Sequence, residues 1–425
     1  VKIEISNGRV IDPRQGIDRH ASLYVAAGKI AALGAAPAGW HANRVIDASG
    51  LIVCPGLIDA SARLREPGFE YKATLESEVA AAVAGGITRL ACPPDTDPPL
   101  DEPGLVEMLK HRARVLNLAH VYPVGALTVG LRGDTITEMG ELADAGCIAF
   151  SHADAALADT QVLLRALQYA ATFGYRVWLR PQDVHLARTG VAHDGEVATR
   201  LGLPAIPGFA ETIALETIFE LVRATGVQVH LARLSTHDGV GRVRAAKKAG
   251  LPVTCDVAIH HVHLCDIDVG WFNANCHLVP PLRGVRDRAA LRAGLADGTI
   301  DLICSDHTPV DDDAKQLPFA ESEPGATGLE LLLPLTLKWA HEAGLPLPAA
   351  LARITTEPAR VLGLDAGHLG AGADADVCVF DPDRRWVVEP AALKSQGKNT
   401  PFLGVELEGK VRYTLVGGQI VHEAA

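Results

Sequence analysis

The sequence predicts an α/β fold: a (β/α)8 TIM-like barrel with a small β-sandwich domain formed by both termini. Three observations predict it. Eight short apolar runs alternate with helical patterns over roughly 250 residues, the spacing of a closed parallel barrel. Both ends of the chain instead carry alternating polar and apolar letters broken by turns. Hydrophobic residues make up 48% of the 425 positions and charged ones 21%, enough for a large core.

In chain order, residues 1–50 read as strands, "VKIEISNGRVID", "ASLYVAAGKIAALG" and "ANRVIDASG", punctuated by Gly or Asp-Pro. From residue 51 the eight barrel-strand candidates follow: "LIVCPGLID", "ITRLACP", "LAHVYPV", "GCIAFS", "YRVWLR", "VQVHLA", "LPVTCD" and "IDLICS". Helical intervals such as 75–86, 160–174 and 211–226 place apolar residues at i, i+3, i+4 and i+7 and end in Gly. Residues 361–425 return to the opening texture with "ADADVCVFDPD", "RWVVEP" and "VRYTLVGGQIVHE". The expected division is therefore a composite β-domain from 1–50 and 361–425, and a barrel over 51–360.

The formal charge of −12 and a pI near 5.8 oppose a nucleic-acid binder, because phosphate recognition needs clustered Lys and Arg. Eight scattered cysteines without a CxxC pair read as small core hydrophobes in a reducing cytoplasm. Neither a signal peptide nor a run of 18 uncharged apolar residues is present in the sequence, so a soluble cytoplasmic protein is expected.

In such a barrel the reactive groups follow the strands, and there the letters become specific. "PGLID", "LREPG", "GGITRLACPPDTDPP", "GLPAIPGFAET", "AKKAGLPVTCDVAIHH", "VPPLRGVRDR" and "CSDHTP" together resemble the amidohydrolase superfamily, and within it dihydroorotase of pyrimidine biosynthesis. The similarity runs in the same order over essentially the whole chain, and "LREPG" and "PPLR" favour dihydroorotase over hydantoinases and allantoinases. The resemblance implies a pair of zinc ions sharing a carboxylate and a hydroxide that attacks a ring amide, with a terminal-strand Asp as ligand and proton carrier.

Carried over position by position, that ligand set is mostly gone. The family's first strand ends Asp-x-His-x-His; here Asp59 is followed by Ser61 and Arg63. The family's bridging acid corresponds to His152, with Asp154 two residues later as a candidate substitute. Strand five supplies Arg180 and Gln182 in place of a His, strand six supplies Arg233, and only Asp306 of "SDH" survives. Guanidinium has no lone pair and stays protonated. Each arginine would also repel a dication at about 4 Å by roughly 8 kcal/mol at an effective dielectric of 20. No zinc or other cofactor is therefore expected, and Asp306 is vestigial, paired with one of the arginines.

Among substrate positions Arg65, the family's carboxylate-binding arginine, remains, although a structural salt bridge at its turn explains it as well. Asp95, Val279 and Val310 replace an Asn, an Asn and a His. His260, His261 and His263 read as packing and loop support rather than a metal site, and His230 as a hydrogen-bonded strand residue. His152, His307 and Asp306 could make a single-metal site only against three nearby arginines, and Asp311, Asp312 and Asp313 read as a solvated run. The resemblance is strongest to the non-catalytic dihydroorotase homologues that associate with aspartate carbamoyltransferase, which implies a structural or regulatory partner of that enzyme, in a homo- or hetero-oligomer. Two alternatives stay open: an active cyclic amide hydrolase with a rearranged, mononuclear metal site, and a metal-free sensor of small molecules built on Arg65.

Overall fold

The computed structural model describes residues 1–424. Its barrel strands are Leu57–Asp59, Ile87–Cys92, His120–Pro123 continued by Gly125–Ala126, Phe150–Ser151, Val177–Leu179, Val229–Leu231, Val253–Ala258 and Leu302–Cys304. These are the eight expected runs. They pair in parallel, each with the next, and the third strand carries the hydrogen bonding across Val124 from strand two to strand four. A parallel bridge between Ala62 and His307 closes the barrel just beyond the ends of strands one and eight. Their fully buried Val, Ile, Leu and Cys residues fit strands covered on both faces.

The helices start and stop where local chemistry dictates. Thr74 and Ser77 form a reciprocal capping box at the start of Leu75–Ala84, and Asp159 accepts from Gln161 N and Val162 N ahead of Thr160–Phe173. Gly174 and Gly226 end Thr160–Phe173 and Phe209–Thr225 in the left-handed conformation, which costs Gly no Cβ clash.

The termini build an eight-stranded sheet with its own core of Ile3, Ile5, Leu23, Val25, Val377 and Leu415 among others. One boundary differs from the sequence reading. Ile52–Pro55, assigned there to the barrel, lies between Lys2–Asp12 and Val377–Val387 in the terminal sheet, pairing Cys54 with Cys378. "LIVCPGLID" is thus two strands, because its continuous apolar run reads the same whether a strand is buried in a sheet domain or a barrel. The last helix, Thr356–Leu362, straddles the expected boundary and packs on barrel strand one. Arg89, from strand two, ties the two units together through Asp376 and Asp374, both at 2.8 Å. All eight cysteines are buried and free, and among the described residues no helix is long and apolar enough to cross a membrane.

Candidate functional site

At the C-terminal mouth, side chains that follow strands one, two, four, five, six and eight converge. Asp154 stands at their centre. Arg63 Nη2 donates to its Oδ2 at 2.8 Å, and Arg233 Nη2 to its Oδ1 at 2.5 Å. Arg180 Nε also lies 2.5 Å from Oδ1, but its N–H is not aimed at that oxygen and has no acceptor; its Nη1 donates to Gln182 Oε1 at 2.5 Å. Arg63 Nε reaches Asp95 at 2.8 Å and Nη1 reaches Thr308 Oγ1 at 2.8 Å. Asp306 is held more loosely, 3.2 Å from Arg233 Nη1 and 3.5 Å from Arg63 Nη1. Three guanidinium groups face three carboxylates, so the formal charge of the cluster is zero.

Burial and attraction act differently on the two central acids. Burial pushes the Asp154 carboxyl up, but Arg233, Arg180 and Arg63 outweigh it and hold the group well below the usual carboxylate range. For Asp306, burial wins over the same Arg233 and Arg63, with Asp154 adding repulsion, and its pKa is raised. The difference follows the distances: Asp154 receives the short contacts and Asp306 the long ones. Arg233, Asp306, Arg65 and Ala153 all have left-handed backbones, with φ of 59°, 47°, 64° and 49°. Such conformations are costly for side-chain-bearing residues and persist where surrounding structure imposes them.

The other sequence-predicted residues separate into those in this cluster and those outside it. His152 is not in it: its ring bonds Thr128 Oγ1 at 2.7 Å and the Ala155 carbonyl at 3.0 Å, so Asp154, not His152, takes the central place. His307 faces away, to Glu78 Oε2 at 2.5 Å, and its Nδ1 accepts from Gly328 N. His152, His307 and Asp306 therefore do not converge, and among the described residues no three His, Cys, Asp or Glu side chains are placed to hold a metal ion. With guanidinium groups at the centre, the donor set does not fit a zinc pair.

Ser61 N donates to Asp59 and its carbonyl accepts from Ser305 Oγ. Arg65 donates Nε to the Pro309 carbonyl at 2.8 Å and lies 3.9 Å from Glu323, which also pairs with Lys72. Val279 contributes only its carbonyl, 2.9 Å from Arg233 Nη1, and Val310 is a buried loop residue. His260, His261 and His263 bond the carbonyls of Thr327, Pro280 and Leu335, and burial drives them down to about 3, 4 and 4, which keeps them neutral supports for loops. His230 sits between Thr254 and Asp256.

The sequence reading missed two buried carboxylates that hold this architecture. Glu211, from the quoted "GFAET", accepts from the N–H and hydroxyl of both Ser235 and Thr236, fixing the turn that follows Arg233. Glu78 anchors His307 and Ser395. Both sit on the buried faces of helices, Glu78 on Leu75–Ala84 and Glu211 on Phe209–Thr225, where the local pattern marks apolar packing rather than a carboxylate.

Asp59 yields a pH prediction. Burial raises its pKa to about 6 against the hydrogen bonds from Ser305 and Ser61. Between about pH 4 and 6 the native state then holds a proton that the unfolded chain has lost, so this group's contribution to stability falls as pH rises through that window. The wild type, compared with Asp59→Asn, should gain on the order of 2–3 kcal/mol between pH 7 and pH 4. Urea unfolding at both pH values checks it; parallel pH profiles for the two proteins would refute it.

Comparisons with known proteins give the family and the fold. A family model described as dihydro-orotase-like matches residues 50–239, and one described as amidohydrolase family matches residues 187–422. A dihydroorotase-like protein of Pseudomonas aeruginosa is 46% identical over 421 residues, 99% of each chain. A dihydroorotase of Geobacter sp. strain M21 is 42% identical over 420 residues, again 99% of each. The solved L-hydantoinase of Arthrobacter aurescens superposes with a TM-score of 0.87 at 24% identity, covering 99% of this chain and 96% of that one, which shows the fold. With near-complete coverage by such relatives and both family models matched, the chain belongs to the dihydroorotase-like proteins of the amidohydrolase superfamily.

Proposed function

We propose that this chain is a catalytically inactive dihydroorotase-like protein that works without a metal and serves as a structural or regulatory partner of aspartate carbamoyltransferase in pyrimidine biosynthesis. The observation that carries the first half is Asp154 clasped by Arg63, Arg180 and Arg233 at the C-terminal mouth of the barrel. A metal-dependent hydrolase of this kind needs a bound hydroxide as nucleophile. Here the groups gathered at that mouth are guanidinium donors, and their carboxylate partners are already neutralised. Both central acids already face arginines, Asp154 through short contacts and Asp306 through longer ones. The partner role rests on the family resemblance and on an intact barrel retained after its donor set changed.

Protein purified without chelators should carry no stoichiometric zinc and should neither open nor close dihydroorotate. Turnover within a few orders of magnitude of about 1–1000 per second, lost in Asp306→Ala, would instead establish the cyclic amide hydrolase reading. Co-expression with the carbamoyltransferase of the same organism should give one co-eluting complex on gel filtration. Separate elution, with carbamoyltransferase activity indifferent to this chain, would sink the partner role.

A further inference from the structure

The opposite, N-terminal mouth of the barrel holds a cavity of about 350 Å³ with no assigned role. Its lining includes Arg176, Trp178, Gln228, His230, Thr254 and Arg360, and not one of its lining residues is Asp or Glu. Of its two arginines, Arg360 is already paired with acids outside the lining and Arg176 is not. The carboxylates that touch lining residues are engaged with them or with other groups: Asp301 with Lys247 and Arg360, Glu357 with Arg360, and Asp256 with His230 and the Arg233 N–H. Arg176, half-buried, makes no ion pair and no side-chain hydrogen bond among the described residues.

The Arg176 guanidinium lies against the backbone at Gly363, the left-handed C-cap of Thr356–Leu362. Trp178 and His230, with ring centroids 5.0 Å apart, supply an aromatic wall, and Leu251, Pro252 and Val253 an apolar one. A half-buried cation without a counter-ion, beside aromatic and aliphatic surface, is an arrangement that can orient a small anionic ligand.

We propose that this cavity binds a small planar carboxylate, its anionic end on Arg176 and its ring against the Trp178 wall. The site is separate from the Asp154 cluster and does not depend on the partner role proposed above. Reactive sites in these barrels gather at the other mouth, so this pocket is a binding site rather than a catalytic one.

Benzoate is a suitable probe, with neutral benzamide as its control. Calorimetry on the full chain should show saturable one-to-one benzoate binding, none for benzamide, and at least a tenfold loss of affinity in Arg176→Met at an unchanged melting temperature. Should Arg176→Met fail to fold, Arg176→Lys, which keeps the charge but not the fork, should still weaken binding. Crystals soaked in 4-bromobenzoate should place the bromine at the N-terminal mouth. No saturable binding, equal affinity in the variants, or bromine at the Asp154 cluster would each overturn the proposal.

Discussion

Asp154→Ala is expected to lower the unfolding free energy by about 3–5 kcal/mol, the usual cost of removing one member of a buried charge cluster. Its three arginine side chains are only 5–9% exposed, so none can turn to solvent when the carboxylate goes. The loss comes mainly from guanidinium charges left buried and under-compensated, with Asp95 and Asp306 as the remaining acids. Formate, a free carboxylate of the right size, should restore part of the stability in Asp154→Ala and none in the wild type. The pH sign is fixed by the depressed pKa. The Asp154 contribution is complete above the ordinary carboxylate range and is lost as pH falls through its lower folded value. Asp306→Asn should cost less than about 1 kcal/mol, because burial already raises that group and its contacts are long. Urea melts of the three proteins at pH 7 decide the matter; equal losses at 154 and 306 would show that Asp154 is not the centre.

Arg233→Met should be the second severe substitution, again by about 3–5 kcal/mol. Arg233 bonds both Asp154 and Asp306 and the Val279 carbonyl, so its loss strips counter-charge from two acids and leaves that carbonyl without its guanidinium donor. The informative quantity is the coupling. Arg233→Met combined with Asp154→Ala should cost at least about 1 kcal/mol less than the sum of the single changes, because each single variant leaves the other's charge stranded. Additive losses would mean that the contacts at 2.5–3.3 Å are energetically incidental.

Much of this molecule was legible before folding. The eight strand runs, the Gly-terminated helices and the pairing of both termini into one sheet follow from periodicity and turn chemistry, which are local. The residue types at the mouth were legible too: Arg63, Arg180 and Arg233 carry guanidinium groups that offer a metal no lone pair. The division of "LIVCPGLID" between two sheets was not, because burial on both faces erases the period that would tell them apart.

By itself, then, the sequence determined the barrel, the composite terminal sheet and the arginines that follow strands one, five and six. Only the tertiary structure decided which carboxylate answers those arginines. Sequence position made His152 and Asp154 near-equivalent and put Asp306 first, whereas the fold turns His152 to Thr128 and brings Asp154 within hydrogen-bonding distance of residues 79 and 91 positions away. Likewise the empty-handed Arg176 is visible only in three dimensions. The physical reason is the same in each case: Coulomb energy and desolvation depend on distances and burial among residues far apart in the chain, and those quantities have no signature in local sequence.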